Sequence, residues 1–191
     1  YAMQNKGGSA LHRPSCDDFK VDNNDLNIDI EVQNNEACMR YAGVTVKGVT
    51  VKERPEWLKN KLQIIGIRPI NNIVDITNYI LHAYGQPMHC FDADMIQGKE
   101  VVVKTMPEGT PFVTLDGVEH KLSERDLAIC NAEEPMCIAG VFGGKGSGTY
   151  DTTCNVLLES AYFNPTWIRK SSRRHGLQTD ASFRFERGID P

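Results

Sequence analysis

The stretch with the clearest chemical potential is residues 85–92, Gly-Gln-Pro-Met-His-Cys-Phe-Asp. A segment with helical spacing precedes it and carries three polar side chains, Asp75, Thr77 and Asn78. Gly85 can end that helix and Pro87 prevents it from resuming, so we expect His89 to project from an irregular connection. Loops that rigid elements hold in place often carry catalytic groups. A lone histidine is weak support for a site, so its role depends on what converges on it.

A single carboxylate interrupts the apolar segment Val156-Leu-Leu-Glu-Ser-Ala-Tyr-Phe163. Because a strand always offers an outer face, the pattern by itself favours a solvent-facing Glu159. If Glu159 faces inward instead, its burial is costly unless a donor pairs with it.

Metal and phosphate chemistry fit the sequence poorly. His82 lies within the helix and has no tightly spaced third ligand beside His89 and Cys90, so we expect structural histidines and no metal site. The glycine-rich run at residues 140–148 fails the spacing of a Walker loop, of a Rossmann fingerprint and of a nucleophile elbow. A tight turn is therefore favoured over close approach of a ligand to its backbone.

A cluster of basic residues follows the last apolar segment. Its members are Arg169, Lys170, Arg173, Arg174, Arg184 and Arg187, and the acids Asp180 and Glu186 lie among them. Such a patch can contact RNA phosphates, or it can be a solvated helix face with a few salt bridges. Both interpretations stay open. His175 fits the last turn of a helix, where the helix dipole favours a cation.

Composition places the sequence among ordinary globular proteins. It has 191 residues, 40% of them hydrophobic and 24% charged, with a net charge of −4 that gives no global reason to expect nucleic-acid binding. No apolar run approaches the ~20 residues of a membrane span, and no leader is evident, so we expect no membrane association and no secretion. The six cysteines include no Cys-x-x-Cys pair, which favours reduced thiols in a cytosolic protein over a disulfide framework or a zinc site. The chain also looks like a piece of a longer one.

Periodicity predicts the elements that must position these residues. Strands are expected near residues 26–32, 41–51, 101–103, 112–115, 118–121, 127–130, 136–142 and 155–163. Helices are expected from Pro55 to Gly66, over 72–84 and over 166–175. Asp116-Gly117 predicts a type I′ hairpin. Strands outnumber helices and hairpins occur beside crossovers, which predicts an α+β fold with mixed, mostly antiparallel sheets and packed helices.

Several of these stretches, in order, resemble one family. They are Arg68-Pro-Ile-Asn-Asn-Ile-Val-Asp-Ile-Thr-Asn-Tyr79, Gly85-Gln-Pro-Met-His-Cys-Phe-Asp92, Leu115-Asp-Gly117, Ala139-Gly-Val-Phe-Gly-Gly144, Asn155-Val-Leu-Leu-Glu159, Arg173-Arg-His-Gly-Leu-Gln-Thr-Asp-Ala-Ser182 and Glu186-Arg-Gly-Ile-Asp-Pro191. Together they resemble the editing domain of the β subunit of bacterial phenylalanyl-tRNA synthetase. The likeness covers residues 25–191 as a single domain of a larger subunit, and residues 1–24 are expected to be a flanking or linker segment.

The resemblance implies hydrolysis of tyrosine mischarged on tRNA(Phe), and it assigns site residues. His89 and Asn78 match residues that hold or activate the hydrolytic water, whereas Glu159 matches the residue that reads the tyrosine hydroxyl. This implies a buried Glu159, against the strand pattern, at the opposite end of the pocket from His89. Arg68 matches a residue that contacts the tRNA end or orients its neighbours. Gly143 matches a pocket wall, and Thr179 and Ala181 flank the bound amino acid.

The resemblance also implies partners and cofactors. They are tRNA(Phe) carrying tyrosine and the α subunit of an α2β2 enzyme, in the cytoplasm. ATP and Mg²⁺ belong to the whole synthetase, and no cofactor or metal is expected in this fragment. A non-catalytic tRNA-binding or subunit-contact module is the alternative. For the reaction we expect direct attack of water on the ester, with a neutral His89 acting either as general base or only to position the water while the terminal ribose hydroxyl assists.

Overall fold

The computed structural model describes residues 15–190. Its largest sheet has five strands in the order β1-β4-β7-β8-β9. These strands are β1 (Asp29–Val32), β4 (Glu100–Thr105), β7 (Leu127–Cys130), β8 (Pro135–Ile138) and β9 (Phe142–Gly143). The β1–β4 pair is parallel and the other pairs are antiparallel.

A three-stranded antiparallel sheet positions the residues of greatest chemical interest. Its order is β2 (Cys38–Lys47), β10 (Asn155–Phe163) and β3 (Met88–Asp92), so β10 lies in the middle. A separate hairpin pairs β5 (Thr110–Val113) with β6 (Glu119–Leu122). Mixed sheets with mostly antiparallel pairs and packed helices confirm the predicted α+β fold.

Four α-helices complete the described chain, with a short 3-10 turn at Gln97–Lys99. They are α1 (Glu56–Ile64), α2 (Asn72–Tyr84), α3 (Pro165–His175) and α4 (Asp180–Phe185). The side chain of Asn71 caps the start of α2, and left-handed Gly85 (φ 77°) ends it, as the sequence predicts. None of the helices within residues 15–190 is long and apolar enough to cross a membrane.

The core lies between the three-stranded and five-stranded sheets. Phe91 and Leu157 from the smaller sheet are buried there with Val103 and Ile129 from the larger one. On β10, Leu157, Ala161 and Phe163 are buried, and from Leu157 onward buried positions alternate with partly exposed ones. One face of the three-stranded sheet is therefore an inner face, and a polar residue in phase with these three must be buried.

Three predicted elements are wrong in detail. Residues 136–142 are not one strand, because the chain turns at Gly140 (φ 66°) between β8 and β9. The Asp116-Gly117 turn is not type I′, which requires positive φ at both residues, because Asp116 has negative φ. The Gly117 N–H donates to Thr114 O (2.8 Å) and the Thr114 N–H to Val118 O (3.0 Å), which gives a three-residue loop with glycine in the left-handed position. His89 does not lie in an irregular connection but inside β3, because β10 supplies a pairing partner that the local sequence does not reveal.

Two other strand boundaries also shift. The predicted strand at 26–32 is regular only from Asp29 to Val32, and the strand predicted at 41–51 runs from Cys38 to Lys47 and ends before Gly48 (φ 71°). Of the predicted flanking segment 1–24, residues 1–14 lie outside the described residues, and residues 15–24 contain no helix or strand and are exposed.

Candidate functional site

Glu159 and His89 are directly opposed partners on neighbouring strands, and Glu159 faces Gly43 on its other side. Directly opposed residues project from the same face of a sheet, so both side chains leave the inner face. Glu159 is only 5% exposed, and the solvent-facing interpretation from the strand pattern is therefore wrong. In register with Leu157, Ala161 and Phe163, it points into the core.

The environment of Glu159 alters its acidity. Burial raises the pKa of its carboxyl to about 8, and the nearby Tyr41 hydroxyl lowers it only in part. The group is therefore mostly protonated at neutral pH and can donate a hydrogen bond as well as accept one. Its Oε2 atom is buried without a hydrogen-bond partner. A buried polar atom of this kind is costly, and a ligand hydroxyl could satisfy it.

His89 is held in a defined orientation. Its Nε2 lies 3.2 Å from the carbonyl oxygen of Ser147, and its ring packs edge-on against Phe91 with 4.4 Å between centroids. A carbonyl only accepts hydrogen bonds, so Nε2 carries the hydrogen and Nδ1 is the basic nitrogen. Burial lowers the pKa of His89 from its usual 6.5 despite the opposing contact with Ser147. The imidazole is therefore neutral near pH 7, as a general base requires.

Gly143 forms a wall beside His89. A Cβ atom at this position would lie 3.2 Å from His89 Cε1, 3.0 Å from Ser147 Oγ and 2.9 Å from Leu115 Cδ1. Only the lack of a side chain allows this close approach. The glycine-rich run thus contains both a turn, at Gly140, and a close backbone approach, at Gly143.

Two buried cysteines are close enough to Glu159 for its charge to affect their acidity. Cys137 pairs with Gly143 in the larger sheet, and Cys38 begins β2. Burial, with a smaller contribution from Glu159, raises the pKa of Cys38 to about 12 and the pKa of Cys137 well above its usual value. Both thiols stay protonated, so neither is an activated nucleophile.

Thr179 and Ala181 lie at the start of α4. Thr179 caps this helix by accepting from the Ser182 N–H (3.0 Å), and its hydroxyl donates to Val141 O (3.0 Å), two residues before Gly143. Ala181 is half-buried and packs against the core. The Thr179 contact with Val141 therefore connects the start of α4 with the residue directly before β9, the strand that carries Gly143. The sequence did not predict α4, because its six residues are too few for a helical period to show.

Asn78 and Arg68 are not joined to the pair. Asn78 is half-buried on α2, on the same side as His82, whose Nδ1 lies 3.1 Å from the Arg184 guanidinium. Arg68 is exposed on the connection between α1 and α2. Among residues 15–190, no hydrogen bond or ion pair links either side chain to His89 or Glu159.

Three contacts were not anticipated from the sequence, two at the Glu159–His89 pair and one, at Asp126, outside it. Tyr41 approaches Glu159, and the Ser147 carbonyl fixes His89. A buried carboxylate, Asp126, receives hydrogen bonds from Ser171 (2.6 Å) and His175 (2.7 Å) on α3. The alternation of β2 puts Tyr41 and Gly43 on the same face of the strand, and this is the one signal in the sequence that could have predicted the contact between Tyr41 and Glu159. The others depend on pairings between distant segments.

Two grooves open on the surface of the described residues, and neither is lined by His89 or Glu159. One, of about 530 Å³, lies between residues 19–30 and β2. The other, of about 500 Å³, is lined by Thr179 and by residues of α4, including Phe183, Arg184 and Arg187. Within residues 15–190, no cluster of three or more His, Cys, Asp or Glu side chains is arranged to hold a metal ion.

The basic cluster divides into two groups. Arg174 bonds to Asp126, Arg184 to Asp180, and Arg187 to Glu186. Arg187 also stacks over Phe183, with 3.4 Å from Cζ to the ring centroid. Arg169, Lys170 and Arg173 are exposed on α3. Half of the cluster thus has structural partners, and the other half lies on the surface.

Comparison with known proteins places this geometry in a family. The B3/4 domain family matches residues 37–191. The phenylalanine–tRNA ligase β subunit of Bacteroides thetaiotaomicron is 71% identical over all 191 residues, which are 23% of that protein. The corresponding subunit of Porphyromonas gingivalis is 59% identical over 168 residues, covering 87% of this chain and 20% of that one. The chain therefore spans less than a quarter of the length of these curated relatives.

A solved structure shows the same fold. An N-terminal fragment of the phenylalanyl-tRNA synthetase β subunit from Pyrococcus horikoshii superposes with a TM-score of 0.54 at 13% identity, over 80% of this chain and 50% of that one. At this identity the likeness concerns the fold alone. The family match covers most of the sequence and includes β2, β3, β9, β10 and α4, which carry the candidate site. The chain belongs to the B3/4 domain family.

Proposed function

We propose that this domain is the editing domain of a phenylalanine–tRNA ligase β subunit and hydrolyses the ester of tyrosine mischarged on tRNA(Phe). The observation that carries the proposal is the pair formed by a buried, protonated Glu159 and a neutral His89 on one sheet face. The relatives named as phenylalanine–tRNA ligase β subunits support it.

The chemical need for such a domain follows from the limits of apolar pockets. A pocket made for phenylalanine cannot strongly reject an isostere that only adds a hydroxyl, so a second site is needed to remove tyrosine. That second site must bind the tyrosine hydroxyl more favourably than it binds the bare phenylalanine ring. Glu159 is suited to this because its buried carboxyl can donate to or accept from a phenol, whereas phenylalanine leaves it unpartnered.

His89 is suited to the hydrolytic step. A water molecule attacks the ester carbonyl carbon and transfers a proton to Nδ1 of His89. The tetrahedral intermediate then collapses, and the C–O bond to the ribose breaks. The departing ribose oxygen takes the proton from Nδ1, which returns His89 to its neutral form and leaves free tyrosine and tRNA with a free terminal hydroxyl. In the alternative version His89 only positions the water, and the neighbouring ribose hydroxyl assists.

The separation between these two functions arises from side-chain direction. The backbones of Glu159 and His89 are adjacent rather than at opposite ends of a pocket. Glu159 approaches Tyr41, however, whereas His89 contacts Ser147 and Gly143. In the proposed site, the group that binds the phenol and the group that holds the water therefore start from the same strand pair but point in different directions.

The other residues of the proposed site act around this pair. Gly143 forms a wall against His89, and Thr179 and Ala181 flank the amino acid from α4. Asn78 would hold the water with His89, and Arg68 would contact the tRNA end. In the structure, neither side chain is hydrogen-bonded to His89 or Glu159. In these roles, Asn78 and Arg68 would therefore contact the water and the tRNA end when substrate is bound.

The wider assembly is also part of the proposal. The exposed Arg169, Lys170 and Arg173 of α3 would contact tRNA phosphates. The α subunit would complete an α2β2 enzyme in the cytoplasm, and ATP and Mg²⁺ would serve aminoacylation elsewhere in it. The second candidate function is a non-catalytic tRNA-binding or subunit-contact module. Neither of the two grooves described above is lined by Glu159 or His89, and this favours that alternative.

Deacylation by the intact synthetase tests the proposal. We expect His89→Ala to lower the hydrolysis rate of tyrosyl-tRNA(Phe), and Glu159→Ala to reduce the preference for tyrosyl-tRNA(Phe) over phenylalanyl-tRNA(Phe). If both variants hydrolyse and discriminate like the unmodified enzyme, the proposal is wrong and the scaffold alternative stands. A thermal shift produced by free tyrosine but not by free phenylalanine would support the editing site independently.

A further inference from the structure

Two buried polar atoms on the inner face of the three-stranded sheet have no hydrogen-bond partner, and they belong to neighbouring residues. They are Oε2 of Glu159 and Oη of Tyr41. Tyr41 is paired with Ala161, two positions from Glu159 on the same strand, so Tyr41 and Glu159 are diagonal neighbours on one face. Diagonal neighbours are within reach of each other when one side chain is aromatic or long.

The two groups are close enough for a weak hydrogen-bonding interaction to shift the pKa of each, but neither Tyr41 Oη nor Glu159 Oε2 has a hydrogen-bond partner of good geometry. The Tyr41 hydroxyl lowers the pKa of Glu159, while burial and, to a smaller extent, Glu159 raise the pKa of Tyr41 well above its usual value. At neutral pH Tyr41 is therefore un-ionised and Glu159 mostly so, and each has a donor and an acceptor. No hydrogen bond of good geometry joins them. The inner face thus presents two adjacent hydroxyl-bearing groups with unused capacity.

We propose that Tyr41 is a second specificity-determining residue, which reads the substrate phenol together with Glu159. A tyrosine hydroxyl between the two groups accepts a hydrogen bond from one and donates to the other. Phenylalanine at the same position leaves two buried polar atoms unpartnered instead of one, so the penalty against it is larger. This inference rests on the proposed editing function and concerns the same site.

The neighbouring side chains restrict what else could fill this role. Gly43 faces Glu159 from β2 and contributes no side chain. Cys38 and Cys137, the thiols whose acidity responds to Glu159, are weak hydrogen-bond donors. Cys137 already lies 3.3 Å from the Phe142 carbonyl. His89 also lies beside Glu159, but its Nε2 contacts the Ser147 carbonyl. Tyr41 therefore offers a second strong donor and acceptor beside the carboxyl.

The test is Tyr41→Phe in the intact synthetase, because this change removes the hydroxyl and keeps the ring that packs on the core. Hydrolysis of tyrosyl-tRNA(Phe) and phenylalanyl-tRNA(Phe) is measured as kcat/KM. We expect the ratio of the two values to fall roughly three- to tenfold, the usual effect of one neutral hydrogen bond. Tyr162→Phe is the matched control, since Tyr162 is the next position on β10 after Ala161 and leaves the opposite face of the sheet. It should leave the ratio unchanged.

A double-mutant cycle with Glu159→Gln separates specificity from a packing role. If Tyr41 and Glu159 read one hydroxyl together, the two changes are non-additive in the ratio. A Tyr41→Phe enzyme with the unmodified ratio overturns the inference, and so does an equal loss with both substrates that adds independently to Glu159→Gln. In either case hydrolysis that still depends on His89 leaves the proposed function intact. Absence of tyrosyl-tRNA(Phe) hydrolysis by the unmodified enzyme would instead refute the proposed function, and this inference with it.

Discussion

His89 and Glu159 face each other directly across the β3–β10 pair, so one sheet face carries both a base and an acid. The same burial acts on them in opposite directions: it lowers the pKa of the imidazole and raises the pKa of the carboxyl. Desolvation disfavours the charged form of each group. Both are therefore mostly neutral near pH 7, and the pair can exist in the core without a buried net charge.

This relationship predicts the acid limb of the hydrolysis rate. If His89 acts as a base, it works only when unprotonated, so the rate must fall as pH drops through its pKa. Because that pKa lies below the usual 6.5, kcat/KM should stay level from neutral pH to below 6.5 before it declines. Deacylation rates between pH 5 and 7.5 measure this. Glu159→Gln should keep the acid limb, and a midpoint above 6.5 in the unmodified enzyme would contradict the assignment.

Burial of Glu159 also predicts a pH-dependent stability. Its pKa is about 8 in the folded protein, against an ordinary 4.5, so the folded state retains a proton that the unfolded state releases in this window. The free energy of unfolding should therefore decrease as pH rises from about 4.5 to 8. Glu159→Gln removes the titration and should stabilise the protein at pH 7.5 by on the order of 3 kcal/mol, with little effect at pH 4.5. Urea unfolding at the two pH values measures the difference.

The control for this experiment is Glu119→Gln, because Glu119 is exposed on β6. It should change the free energy of unfolding little at either pH. Equal effects of Glu159→Gln at pH 4.5 and 7.5 would show that titration of the carboxyl does not cause the change.

Gly143 predicts a defect in hydrolysis that exceeds the defect in folding. A methyl group there would lie 3.2 Å from His89 Cε1 and 2.9 Å from Leu115 Cδ1, so Gly143→Ala must displace neighbouring side chains. Small displacements of a catalytic group lower rates strongly, and we expect a loss of roughly tenfold or more in kcat/KM. Overpacking should cost about 1 kcal/mol in the free energy of unfolding.

Gly146→Ala is the matched change in the same glycine-rich run. A methyl group at Gly146 meets no atom within 4 Å, and its φ is not positive. This variant should hydrolyse tyrosyl-tRNA(Phe) at the unmodified rate. If Gly146→Ala and Gly143→Ala lose activity equally, flexibility of the run, and not contact with His89, is responsible.

Local signals in the sequence located three of the four described helices. Asn71 caps α2 and Gly85 ends it, and Asn164 accepts from the Thr166 N–H (2.9 Å) at the start of α3. Capping and termination depend on residues within one turn of the helix end, so the sequence contains the required information.

Long-range pairing explains what local signals missed. β3 is a strand because β10, far along the chain, is hydrogen-bonded to it. Residues 85–92 contain no local signal that predicts this partner. Glu159 shows the same limit, because alternation separates the two faces of a strand without saying which is inside. Here Leu158 is more exposed than Glu159. Which face of β10 is buried is decided only by the packing of the two sheets. The resemblance to a family supplied a buried Glu159 where the pattern favoured solvent.

Outside the site, we expect substitution of Asp126 to cause the largest loss in the free energy of unfolding. It is fully buried just before β7 and accepts from Ser171, His175 and Arg174 of α3 and from the Ser123 N–H. Burial raises its pKa, but the bonds from His175 and Ser171 outweigh burial and hold the pKa below the usual 3.8. Its stabilising contribution is therefore present above pH 3.8 and is lost as pH falls through the lowered value.

Removing this carboxylate leaves its donors without a buried acceptor. Asp126→Ala should lower the free energy of unfolding by roughly 3 kcal/mol or more, as expected for a broken buried ionic network. Asp180→Ala is the control, because Asp180 pairs with Arg184 at 3.1 Å while its own side chain is 59% exposed. Exposed pairs contribute about 0–1 kcal/mol. Urea unfolding at pH 7 measures both, and an Asp126→Ala loss no larger than that of Asp180→Ala would show that the network does not anchor α3.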